Sequence, residues 1–124
     1  MSEQAELLKA RTMRFALDVC GLLKQLPHDE PGPTVRRQLA KSSTSIAFNY
    51  RASCRARSHA EFTSRIGIVA EEADETQGWL EFIEAAKLIV SSELPRLLDE
   101  ATELSAIMSS SAGTARYKER NKDC

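Results

Sequence analysis

The chain predicts an all-α fold, an up-down-up-down antiparallel four-helix bundle. Three observations lead there. Apolar residues recur at alternating steps of three and four in four separate segments. The connectors between those segments are short. No run alternates apolar and polar residues between turn signals, as a half-buried strand would. A length of 124 residues suits one domain, and 42% hydrophobic with 28% charged residues is a globular rather than a disordered composition. The expected organisation is a bundle over residues 1–112 and a flexible polar tail over 113–124.

The first helix is expected over residues 3–26, with Leu8, Thr12, Phe15, Val19, Leu22 and Leu26 on one face at steps of 4, 3, 4, 3 and 4. Pro27 and the HDEPGP run end it. The second is expected over residues 34–57, capped by Thr34, with Leu39, Ser43, Ile46 and Tyr50 forming its stripe. Ala40, Ala47 and Cys54 repeat every seven residues beside that stripe. Its serines are weak helix formers, so tertiary packing must hold it.

The third helix opens on Ser58-His59-Ala60-Glu61, a capping-box pattern. Phe62, Ile66, Val69, Ala73, Thr76, Leu80 and Ile83 then give the cleanest heptad in the chain. The fourth is expected from Ser92, with Pro95 tolerated in its first turn and Leu94, Leu97, Ala101, Leu104 and Met108 facing inward. Ser109, Ser110, Ser111 and Gly113 read as fraying, and the tail carries Arg116, Lys118, Arg120 and Lys122.

Several chemistries lack their residues. Neither His28 nor His59 has a glutamate three positions before it, which a di-iron bundle requires. Phosphate-cradling glycine loops, Gly-x-Ser-x-Gly and His-Glu-x-x-His are missing. Cys20, Cys54 and Cys124 are odd in number and widely spaced, which suits reduced thiols in the cytoplasm better than disulfides or zinc. The opening MSEQAELLKA lacks an apolar signal core, and no apolar run approaches the roughly 18 residues of a membrane span. No enzyme activity, cofactor, metal, membrane partner or small-molecule substrate is expected.

Charge separates by sign along the chain. Residues 34–57 carry Arg36, Arg37, Lys41, Arg51, Arg55 and Arg57 and no carboxylate. Residues 58–86 carry seven carboxylates against Arg65 alone. Glu71, Asp74 and Glu75 share a helix face and could hold a divalent cation, but pairing with the bases of the preceding helix is the stronger expectation. With the turn near Arg57, levels on the two antiparallel helices match when residue numbers sum to about 115. Lys41 is then level with Asp74 and Glu75, and Arg55 with Glu61, whereas Arg51 has no carboxylate at its level. Lys41, Glu71, Glu72, Asp74, Glu75 and the flank aromatic Trp79 are the candidate ion-pair and interface residues.

The run from Thr44 to Ile83 resembles a family signature. Asn49-Tyr50-Arg51, Cys54-Arg55-Ala56-Arg57-Ser58, Phe62, Glu71 to Thr76 and Trp79 are similar to the motif of the four-helix bundle proteins encoded in intervening sequences of bacterial large-subunit rRNA genes. That family commonly has an acidic residue after Arg51, where this chain has Ala52. The resemblance implies a ring-shaped homopentamer and no catalysis. It extends to the accessory proteins of diversity-generating retroelements, basic pentameric barrels that bind nucleic acid and a reverse transcriptase; this chain, at −1, is not basic overall. RNA or a ribonucleoprotein is therefore the expected partner, with Arg36, Arg37, Arg51, Arg55 and Arg57 as candidate contacts. The alternative is a protein-interaction scaffold whose opposite charges satisfy each other within the assembly, with no nucleic acid bound.

Overall fold

The computed structural model describes residues 2–122. It contains α1 (Glu3–Leu23), α2 (Gly32–Ser53), α3 (His59–Ala86) and α4 (Glu93–Arg120), each packed on its chain neighbours, with α1 closing onto α4. Among the described residues there is no strand, and no helix is long and apolar enough to cross a membrane.

The first helix starts where Ser2 Oγ accepts from the Ala5 N–H at 3.1 Å, with Glu3 and Glu6 favourably placed against the positive end of the dipole. It ends at Leu23, and Leu26 still folds under into the core. Arg36 receives its end: the guanidinium donates to the carbonyls of Leu23, Leu26 and Pro27 at 3.4, 3.0 and 3.4 Å. The second helix starts two residues before Thr34, so the expected cap is replaced. Glu30 does that work, accepting from the Thr34 N–H at 3.1 Å. Gly32 is buried against Pro27, and a Cβ there would lie 1.9 Å from the Pro27 carbonyl oxygen, so this corner admits no side chain.

Ser58 caps α3 by accepting from the Glu61 N–H at 3.1 Å, and the Glu61 carboxylate reaches back to the Arg57 N–H at 3.1 Å. Lys87 ends α3 in the left-handed region (φ 55°), where its N–H and that of Leu88 bond to Glu84 and Ile83.

The four sequence stripes meet at the centre. Phe15, Val19, Leu39, Ile46, Ile66, Val69, Leu80, Ile83, Leu97, Leu104 and Met108 are all essentially inaccessible. Ser42 and Thr76 lie among them, fully buried, with the Thr76 hydroxyl donating to Ser42 Oγ at 2.8 Å. The small Ser42 of α2 thus sits within hydrogen-bonding reach of α3, part of the tertiary packing that its weak helix formers require.

The fourth helix corrects the sequence reading. It does not fray at Ser109 but runs on to Arg120, so residues 113–120 are helical rather than tail. Ala112 and Ala115 continue the inward stripe after Met108, and this packing outweighs the weak propensity of three serines and a glycine. His59, at the start of α3, fastens the extension: its Nε2 lies 3.1 Å from the Ala115 carbonyl, which can only accept, so Nε2 carries the proton. Cys20 and Cys54 are free thiols; Cys124 lies outside the described residues.

Candidate functional site

Polar chemistry in this molecule lies on the outside of α2 and α3, and the helix geometry dictates where. Because their inner stripes face the core, residues half a turn away must face outward. On α2 these are Arg37, Lys41, Phe48 and Arg51, all exposed, and exposed Arg55 follows in the turn just past the helix end. On α3 they are Glu71, Asp74, Glu75, Gly78 and Phe82, also exposed, with Trp79 half-buried on the flank.

The expected ion pairing between these helices is not made inside the chain. Among the described residues no ion pair joins α2 to α3. Both helices present most of these charges on exposed outer faces. The register itself holds: Asn49 Oδ1 accepts from Arg65 at 3.3 Å and Ser42 meets Thr76, pairs whose numbers bracket the expected sum. Lys41 acts on the half-buried Glu72. Burial raises the Glu72 carboxyl above the usual carboxylate range, Glu75 adds to the rise, and Lys41 opposes it. Glu72 Oε2 is buried without a hydrogen-bond partner.

The candidate nucleic-acid contacts divide. Arg36 is turned inward onto the end of α1, as described above, and its guanidinium is engaged there. Arg37, Arg51, Arg55 and Arg57 remain exposed; Arg57 Nε lies 3.7 Å from Glu61. The helical extension of α4 adds to them. His59 holds it against the α2–α3 turn, so Arg116, Lys118, Arg120 and Lys122 share one end of the bundle with Arg51, Arg55 and Arg57. Lys122 bonds Glu119 at 2.8 Å and holds that carboxyl below the usual range.

The sequence reading missed Phe48, which is 59% exposed in the middle of the basic stripe. Its signal was present: Arg37, Lys41, Thr44, Phe48, Arg51 and Arg55 step 4, 3, 4, 3 and 4, a second heptad opposite the apolar one. On α3, Trp79 packs its flank on the core and meets Phe82 edge-on, with ring centroids 5.8 Å apart. Asp74, Glu75, Gly78, Trp79 and Phe82 surround a shallow depression of about 330 Å³.

Catalytic groups do not assemble comparably. A cleft of about 650 Å³ near the start of α1 is lined by Leu8, Tyr50, Cys54, Phe62 and Ile107, among others. Among the described residues that line it there is no His, Lys, Asp or Glu to activate Cys54. Burial, with Cys54 adjacent, pushes the Tyr50 phenol up to about 12. Among the described residues no three His, Cys, Asp or Glu side chains converge as metal ligands would; Glu71, Asp74 and Glu75 lie along the exposed face instead.

Comparison with known proteins agrees with this architecture. The family model for 23S rRNA-intervening sequence protein matches residues 7–110. A crystal structure of a protein of unknown function from the S23 ribosomal protein family of Bacteroides thetaiotaomicron VPI-5482 superposes with a TM-score of 0.77 at 27% identity, covering 88% of this chain and 97% of that one. No curated protein matches. From its helices, its outward charge stripes and these matches, the chain belongs to the 23S rRNA-intervening sequence protein family.

Proposed function

We propose that this chain is a non-enzymatic bundle that self-associates, as a homopentameric ring, and holds RNA or a ribonucleoprotein on its basic end in the bacterial cytoplasm. The observation that carries the nucleic-acid part is the docking of the α4 extension beside the α2–α3 turn. It gathers two groups of bases that are far apart in sequence: Arg51, Arg55 and Arg57 from one, and Arg116, Lys118, Arg120 and Lys122 from the other. Among the described residues the carboxylates at that end include Glu3, Glu6, Glu61 and Glu119, and three of these already have a basic neighbour in Lys9, Arg57 or Lys122. A chain with a net charge of −1 thus acquires a local positive field, which is what phosphate binding requires.

The test is RNA affinity as a function of salt. Log affinity should fall against log salt with a slope of about −0.7 for each single-strand phosphate neutralised, or −0.9 on duplex. Arg51→Ala, Arg55→Ala and Arg57→Ala together should flatten that slope. An affinity that ignores salt would remove nucleic acid from the reading and leave the scaffold alternative, in which the charged stripes serve protein contacts only.

A further inference from the structure

We propose that copies of this chain join head to tail, the outer face of α2 on one copy seating on the outer face of α3 on the next, with Arg37 entering the depression at Gly78 and Phe48 covering Gly67. This rests on the self-association proposed above and names its surfaces.

The depression exists because Gly78 has no side chain: nothing lies within 4 Å of where its Cβ would stand. Asp74 and Glu75 rim it on one side, Trp79 and Phe82 on the other. Two carboxylates beside two aromatic rings form a receptor for a planar cation, which pairs with the acids and stacks on the rings. Neither Asp74 nor Glu75 makes an ion pair within its own chain. Arg37 is exposed on α2, unlike its neighbour Arg36, which is engaged at the end of α1.

Height selects Arg37. Within one chain, level residues on α2 and α3 are Asn49 with Arg65 and Ser42 with Thr76. Copies rotated about an axis along the bundle keep those heights. Arg37 is then level with Gly78, and Lys41 with Asp74 and Glu75. Phe48 is level with Gly67, the other α3 glycine with open space over its Cα. The two projections on α2 and the two glycines on α3 therefore have the same spacing, three turns of helix or about 16 Å. A basic stripe with an exposed phenylalanine thus meets an acidic stripe with matching gaps, in register at both points.

The same geometry closes the assembly. Outer faces of adjacent helices in a four-helix bundle point roughly at right angles. A head-to-tail contact between such faces turns each copy by a comparable angle, and turns of that size close into a small ring rather than a filament.

Native mass spectrometry of the full chain tests this. Wild type should be oligomeric. Gly78→Leu places its Cβ in open space on an exposed face, fills the depression and improves helix propensity, so the variant folds; it should nevertheless run as a monomer. Arg37→Glu and Glu75→Arg should each raise the concentration needed for assembly by at least about tenfold, and combining them should restore it. Wild-type assembly that survives both Gly78→Leu and Arg37→Glu would overturn these surfaces while leaving self-association intact. A monomeric wild type would overturn self-association itself, and these surfaces with it.

Discussion

The seam between α1 and α4 and the seam between α2 and α3 are held by opposite means. Across the first, Arg11 makes a two-point pair with Glu100, Nη2 to Oε1 at 2.6 Å and Nε to Oε2 at 2.8 Å, and Arg96 reaches Asp18 at 3.3 Å. Across the second, the polar link in the interior is the uncharged Ser42–Thr76 pair, while the charges stand on the outside and, among the described residues, form no ion pair across the seam; Arg65 bonds only the neutral amide of Asn49. The α1–α4 charges close the chain on itself. Those of α2 and α3 contribute little to the single chain and are available to something else. The comparison separates residues that maintain the fold from residues that maintain function, and each prediction below tests one side of it.

The largest effect belongs to the interior of α2. Tyr50 titrates near 12 in the folded chain, against about 10 when unfolded. A raised value means the native state favours the neutral phenol. Its contribution is therefore whole below pH about 10 and is lost as pH climbs toward 12, a loss of about 2–3 kcal/mol. Urea melts across that range should show the decline, and Tyr50→Phe should flatten it.

The Ser42–Thr76 pair comes next. Ser42→Ala strips the fully buried Thr76 hydroxyl of its acceptor and should cost about 1–3 kcal/mol. Adding Thr76→Val removes the stranded hydroxyl, so the double variant should cost less than the sum of the two singles. Strict additivity would mean the pair does not act as a unit, and the account of this seam would fail.

Arg11→Ala should cost about 1 kcal/mol. Two-point geometry strengthens the pair, and partial exposure of Arg11 screens it. High salt should reduce the difference between variant and wild type.

How much of this was legible in the sequence differs between the same two regions. The inner stripes were visible because apolar spacing reports burial directly: Phe15, Ile46, Ile66, Leu80 and Leu104 all lie where their period put them. The course of α4 beyond Ala112 was not visible, because alanine is too small to mark a face when three serines precede it. The burial of Ala112 and Ala115 and the contact with His59, more than fifty residues away, reveal the docking. Charge was legible in sign but not in partner. The split between residues 34–57 and 58–86 is plain in the chain, yet the direction each charge points depends on which stripe the core takes. Arg36 and Arg37 illustrate this. They are adjacent and chemically identical, and a rotation of 100° per residue sends one to cap α1 and the other to the surface.

The smallest effect is the sharpest test of the contrast. Glu75→Ala and Arg37→Ala should each change the stability of the dilute monomer by no more than about 0.5 kcal/mol, since both side chains are exposed and, among the described residues, neither is in an ion pair. Arg11→Ala, chemically the same truncation, should exceed both. Melts must be run well below the concentration at which copies associate, because binding to the folded state would add its own stabilisation. At higher concentration the order should reverse. The outer-face variants would then lose the stabilisation that assembly adds, whereas Arg11→Ala would keep it. A ranking that stays the same at every concentration would mean the outer stripes serve neither the fold nor its assembly, and the division between the two seams would have no functional content.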